Sequence, residues 1–248
     1  MPSSDVDDAE TLARHRDVWA ARPDLRRIYH GWFGWLLDAV AGFSPLVEIG
    51  SGPGFFKEFA PHLVATDITP GARMDVRCDA CELPFGSATV GALVMVDALH
   101  HLPRPLDFMA EAARVLRSGG RLAMVEPWVT PASFLLYRYL HHEDCRFGVD
   151  LSRPFPTTGK RALDGNCAIP RLVLRRCGTG SGSLRLIRTR PFVGLPYLVS
   201  FGFQRRRPLP RAVGAVAEVL ERGTAPLRRL AASRILAVWE KVPHGTVA

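Results

Sequence analysis

Apolar positions recur at helical spacing in two early stretches, residues 8–20 and 24–41. In the second, Leu25, Ile28, Tyr29, Trp32, Trp35 and Leu36 fall along one face, so the pattern predicts that the chain opens with two helices. Shorter apolar runs follow, bounded by glycine, proline or charge. LVEIG reads as a buried strand and FFKEFAPH as the helix after it, while LVATDI, MDVRCDA and VGALVMVDAL read as a second, third and fourth strand. PLDFMAEAARVLRSGG carries an apolar helical face and a glycine stop, and RLAMVE is a strand directly behind it. Strand and helix alternating at this spacing predict a parallel sheet covered by helices on both faces. Two late segments, SLRLIRTRPF and SRILAVWEKV, suit a final strand pair. The stretch between them, PFVGLPYLVSFGFQRRRPLP and a helix of about 20 residues, is too long for a hairpin and reads as an insertion.

Composition narrows the class. With 248 residues, 47% of them apolar and 23% charged, the chain can bury a full core, and a single domain over 1–248 is expected. Its parts are N-terminal helices over 1–44, a core over 45–127, and substrate-side segments with the final strands over 128–248. No apolar run reaches the ~18 residues of a membrane span, and the acidic start SSDVDDAE lacks the basic region of a signal peptide, which predicts a cytosolic protein. Five scattered cysteines do not form a disulfide framework. The net charge of +8 is unevenly placed: residues 1–150 hold 14 Lys and Arg against 20 Asp and Glu, a net −6, whereas residues 151–248 hold 18 against 4, a net +14. Such asymmetry can mark a surface for nucleic acid, anionic lipid or an acidic partner. A general preference for Arg over Lys, 29 of the 32 basic residues, competes with that reading.

The chemistry starts at VEIGSGPG, residues 47–54. A dinucleotide fold needs G-x-G-x-x-G, its third glycine letting a helix pack closely while its N-terminus faces a pyrophosphate. Here the order is Gly50-Ser51-Gly52-Pro53-Gly54 and then Phe55-Phe56, so that third glycine is missing. Asp67 follows at the end of the second strand, 17 residues beyond Gly50, where a carboxylate can accept both hydroxyls of a ribose.

The glycine turn after Glu48 resembles the first motif of class I S-adenosylmethionine-dependent methyltransferases. Four further segments match that family in order: Asp67 with Ile68, RCDACELPF, VMVDALHHL, and RVLRSGGRLAMVEP. The resemblance is closest to the broad branch with quinone-biosynthesis and natural-product enzymes, in which LHHL follows the fourth strand. It implies a Rossmann-like α/β fold with a seven-stranded sheet, the last strand antiparallel, and S-adenosylmethionine as cofactor. It also implies that Glu48, Gly50, Ser51, Gly52 and Gly54 hold the methionine part, Asp67 and Ile68 the ribose, Asp79 and Ala80 the adenine, with Asp97 beyond the fourth strand.

Methyl transfer requires a nucleophile aligned at near-attack distance with water excluded, and a base only where the acceptor must lose a proton. His100 and His101 follow the fourth strand and Glu126 ends the neighbouring fifth, so all three open on the carboxyl-end crevice where open α/β sheets bind ligands. His101 is the first choice for a base, His100 the second, with Glu126 as the partner carboxylate. Packing against the cofactor, or capping of the next helix, is the competing role for either histidine.

Two clusters are set aside as metal sites. Cys78 and Cys81 lack a second ligand pair, and the run His141 to Cys145 would need an irregular backbone to converge on one ion. The LPYLVSFGFQRRR stretch sets apolar residues beside arginines, as an interfacial segment does, and leaves peripheral membrane contact open. The acceptor is expected to be a small molecule, modified at oxygen, carbon or nitrogen. A basic late half holding a nucleic acid or carrier protein is the alternative, and the nucleic-acid version is weakened because no N-P-P-[YF] tetrad is present. A non-catalytic binding module is the third reading, disfavoured by the intact glycine and carboxylate set.

Overall fold

The computed structural model describes residues 3–71, 73–139, 144–154, 165–178 and 183–243. Two helices open the chain, α1 (Ser3–Ala21) and α2 (Pro23–Ala39), as the apolar spacing predicts. The sheet is then built from β1 (Leu46–Ile49), β2 (Val64–Asp67), β3 (Val76–Arg77), β4 (Val90–Val96), β5 (Leu116–Pro127), β6 (Leu184–Phe192) and β7 (Arg234–Lys241). Its seven strands lie in the order β3-β2-β1-β4-β5-β7-β6. Strands β1 to β5 pair in parallel, and β7 inserts antiparallel between β5 and β6, giving the expected last antiparallel strand. The chain order reverses between β1 and β4, which opens a crevice at the carboxyl ends of those strands.

Period-two alternation decides what each face of the sheet packs against. Leu93 and Met95 of β4, Leu122 and Met124 of β5 and Trp239 of β7 point to one face, where they meet α4 (Pro105–Val115) and α6 (Ile169–Cys177). Ala92, Val94, Ala123, Val125 and Val238 point to the other, against α2 and the short α3 (Phe55–Phe59). Both layers are closed, so the central strands read as continuous apolar runs. On the α2 side the packing is aromatic: Phe33 stacks on Phe56 at 4.2 Å and Trp19 on Phe55 at 4.1 Å. Offset stacks of this kind add about 1 kcal/mol each beyond the area they bury.

Four elements differ from the sequence reading. Helix α4 ends at Val115, five residues before the expected glycine stop, because Leu116 already pairs with Val90 in the sheet. The register then shifts between Val90 and Ala92, and the Arg117–Gly120 stretch forms the irregularity. A Cβ on Gly120 would lie 2.9 Å from the Gly91 carbonyl oxygen, so the glycines permit close strand approach. The third strand shrinks to two residues, and the helix after the glycine turn to five. The late insertion is broken into α7 (Leu195–Ser200), α8 (Arg211–Gly223) and α9 (Arg228–Ala231), so its main helix has 13 residues.

One buried side chain ties that insertion to the N-terminal helices. Arg22, fully buried between α1 and α2, donates to the carbonyls of Ser200, Gly202 and Arg205, and its Nη2 lies 2.6 Å from Asp24 Oδ2. Against burial, that hydrogen bond and the Leu209 amide hold the Asp24 carboxyl below its usual range.

Candidate active site

A cavity of about 1020 Å³ opens over the carboxyl ends of β1, β2 and β4. Its floor is the glycine turn. Gly50 has φ +68°, and a Cβ there would lie 2.6 Å from Ala98 Cβ, so only glycine lets the turn pass under the start of the segment after β4. The Ser51 amide donates to the Thr66 carbonyl, locking the turn to β2. Glu48 is buried beneath it, and its Oε2 has no hydrogen-bond partner among the described residues. Burial, with help from Asp67, pushes the Glu48 carboxyl up to about 8.

Asp67 and Asp79 stand on the cavity wall with Ile68 and Ala80. The Gly52 amide donates to Asp67 Oδ2 at 2.7 Å and the Thr69 amide to Oδ1 at 2.8 Å, so the carboxylate is fixed in place by the turns on either side. Asp79 accepts from the Cys81 amide and from Arg104. Burial, reinforced by Asp79, pushes the Cys81 thiol up to about 12, so it keeps its proton. Asp97 lines the cavity too, but its carboxylate is engaged by Arg234 and lies 3.4 Å from the Tyr29 hydroxyl. Of the run His141 to Cys145, residues 141–143 lie outside the described residues.

The two histidines occupy a 3-10 turn, Leu99–His101, beyond β4, and both reach the cavity. Their rings lie 4.1 Å apart. Glu126 is fully buried below them: Oε1 accepts the Ala98 and Leu99 amides at 2.9 and 2.8 Å, and Oε2 lies 2.7 Å from His100 Nδ1. A carboxylate already taking two amide protons acts as an acceptor, which makes His100 Nδ1 the donor and leaves Nε2 as the basic nitrogen. The carboxylate thus pairs with His100, and His101, the first choice for a base, stands beside it on the cavity wall. Glu126 does not line the cavity.

Four side chains that sequence reading did not single out for the site complete the wall: Tyr29, Tyr137, Tyr197 and Arg234. Arg234 is buried, ion-paired with Asp97, and stacked over Tyr197 at 4.5 Å and Trp32 at 5.0 Å. Burial alone would lower its guanidinium, but Asp97 and the three tyrosines hold it well above its usual value. Burial, then Tyr197 and Asp97, keep the Tyr29 phenol protonated far beyond its usual range. Arg234 opens an apolar strand and Tyr29 sits on an apolar helical face, so neither pattern signals a site. Only the crossing of α2, α5 (Pro131–Tyr139), α7 and β7 brings them together. The wall also carries apolar side chains, among them Leu12, Phe33, Phe55, Leu198 and Phe203, and polar ones from Thr11, Arg14, His15 and Gln204.

Comparison with known proteins agrees with this geometry. Residues 47–124 match the family model described as a methyltransferase domain. Over 54 residues the chain is 41% identical to the 27-O-demethylrifamycin SV methyltransferase of Amycolatopsis mediterranei, which covers 22% of this chain and 20% of that protein. Across the curated relatives it matches, the chain spans 18 to 45% of their length. Among solved structures, a chain of the complex between the Haloferax volcanii Trm112 methyltransferase activator and a methyltransferase aligns over 98% of this chain and 99% of its own, with 15% identity and a TM-score of 0.54. The geranyl diphosphate C-methyltransferase of Streptomyces coelicolor aligns over 86% and 77%, with 17% identity and a TM-score of 0.51. At such identities the structural likeness establishes the fold. Residues 47–124, the segment around the glycine turn, thus match a methyltransferase domain, carried on the fold that those solved structures share.

Proposed function

We propose that the chain moves a methyl group from S-adenosylmethionine to an oxygen, carbon or nitrogen atom of a small, largely apolar acceptor. The observation that carries this reading is the single continuous cavity, which runs from the glycine turn and Asp67 past the histidine pair to the tyrosines. The residues suit the cofactor. Glu48 presents a buried carboxylate oxygen without a partner, which a cationic ammonium group would satisfy. Asp67 is held rigid by two amides and retains further lone pairs for a ribose diol. When bound, the cofactor supplies a sulfonium-activated methyl group.

The protein's own contribution is alignment, dehydration and proton removal. Phe33, Phe55, Phe203 and Leu198 exclude water and grip an apolar acceptor. His100 Nε2 takes the acceptor's proton, and Glu126 holds the ring in that tautomer and stabilises the imidazolium that forms. Glu126 is a positioning residue in this scheme. The buried Arg234 and the tyrosine hydroxyls orient a polar group on the acceptor. The relative named for 27-O-demethylrifamycin SV supports a small-molecule acceptor.

Calorimetry with S-adenosylmethionine tests the cofactor half. Transfer of isotope-labelled methyl from the cofactor into an extract of the producing cells, read by mass spectrometry, tests the acceptor half. Absence of cofactor binding would reject the proposal outright, whereas binding with label found only in macromolecules would move the acceptor to nucleic acid or protein.

A further inference from the structure

The main helix of the insertion is built inside out. Helix α8 buries Gly214 and Ala217 against the body. Its larger apolar side chains, Val213, Val216, Val219 and Leu220, face solvent, and Leu227 and Leu230 just after it do the same, all of them 44 to 63% exposed. At about 100° per residue the four exposed positions of α8 span an arc of about 120°, its centre about 130° around the helix from that of the buried pair. Contiguous apolar surface of this kind marks an interaction site.

The charges around it identify the occupant. Residues 201–233 contain seven arginines and two glutamates, a net +5. Both glutamates are turned to the body: Glu218 pairs with Arg27, and Glu221 accepts the Val193 and Leu195 amides. Arg206, Arg207, Arg211, Arg222 and Arg229 are exposed and make no ion pair among the described residues. On the neighbouring edge strand, burial followed by the charges of Arg228 and Arg188 lowers the Arg190 guanidinium, a sign of crowded positive charge. A second copy docked about a two-fold axis would bring these arginines against their own equivalents. A nucleic acid would match the charge but leave the valines and leucines in water. An anionic lipid surface satisfies both, taking the apolar arc into the acyl boundary and the arginines among the headgroups.

We propose that α8 and the turn after it dock the protein peripherally on an anionic membrane. No helix among the described residues is long and apolar enough to cross one, so the contact is interfacial. Phe201 and Gln204, which line the cavity, lead straight into Arg205, Arg206 and Arg207. Docking therefore brings the cavity's insertion wall close to the lipid, where an acceptor with an apolar chain would be dissolved.

The test is co-sedimentation of the full chain with vesicles of phosphatidylcholine and phosphatidylglycerol in equal parts, and with phosphatidylcholine alone. Binding to the mixed vesicles only, weakened by added salt, is expected. The double variant Val216→Asp with Leu220→Asp should lose it, and Arg222→Ala with Arg229→Ala should weaken it about fivefold per arginine removed. An unchanged thermal unfolding transition shows that each variant is folded, and no arm requires the cofactor or the acceptor, so this proposal and the catalytic one fail separately. Equal binding to both vesicle types, no binding to either, or full binding by the aspartate variant would overturn it. So would a concentration-dependent dimer, abolished by the aspartates, in a protein that ignores vesicles.

Discussion

The sheet core and the late insertion obey opposite rules. Along β4 and β5 every large apolar side chain but the half-buried Val96 is buried, and the polar groups beside them, Glu48 and Glu126, are buried with them. In α8 only Gly214 and Ala217 are buried, and the large apolar residues are exposed. The core carries the chemistry because a rigid two-sided layer can hold carboxylates and amides at fixed separations. The insertion is attached through polar anchors, above all Arg22, and through Tyr197 and Phe203 packed on Tyr29, Trp32 and Phe55, while the apolar face of α8 is left to something outside the chain. On the proposed reading, the difference teaches that burial of charge marks the reacting end of this molecule, and exposure of apolar surface its docking end.

The comparison is broken most severely at Asp67. Asp67→Ala removes the acceptor of the Gly52 and Thr69 amides and the group assigned to the ribose, and cofactor affinity should fall by about a hundredfold or more by calorimetry, since hydrogen bonds to charged groups are worth about 1.5–3 kcal/mol each. A folded variant with wild-type affinity would reject the assigned pocket. Next comes Glu126→Gln. The amide would still accept from Ala98 and Leu99 but would present a donor to His100 Nδ1, forcing the other tautomer. Turnover should drop about a hundredfold with cofactor affinity unchanged, and the acid limb of the pH–rate profile should shift. A merely structural role would move affinity and stability and leave the profile in place.

Arg22→Leu tests the attachment of the insertion. It strands Asp24 and three carbonyls, at a cost of about 2–4 kcal/mol. Hydrogen exchange should rise over residues 195–209 while β4 and β5 stay protected; uniform loss of protection would show that core and insertion open as one unit. Glu48 gives a pH effect. The folded chain retains a proton there that the unfolded chain releases, so this group's stability contribution is full below the ordinary carboxylate range, falls as pH rises, and levels off above about 8. A cofactor ammonium reverses the preference, so binding near neutral pH should release a proton and strengthen toward pH 8. Calorimetry in buffers of different ionisation enthalpy measures that proton, and Glu48→Gln should abolish it. The smallest effect is expected for Val216→Asp, which should change unfolding free energy by no more than about 0.5 kcal/mol because the side chain already faces water. A larger loss in thermal or denaturant unfolding would mean that α8 is packed after all.

Local pattern and tertiary assembly divided the work along a physical line. Strand and helix alternation, the glycine turn from Gly50 to Gly54, and the carboxylates ending β1 and β2 were legible because each is a short-range signal: a period, a turn residue, a spacing along one chain segment. The short α4 and the long β5 were not, since pairing of Leu116 with Val90 outweighs helix propensity only once the two are neighbours. Nor could spacing alone reveal which of the two histidines Glu126 holds, that Arg234 meets Asp97 among three tyrosines, or that the apolar face of α8 points away from the core. Those depend on contacts between groups tens to hundreds of residues apart, and such contacts exist only after the layers close and the low-dielectric interior makes a buried charge choose its partner.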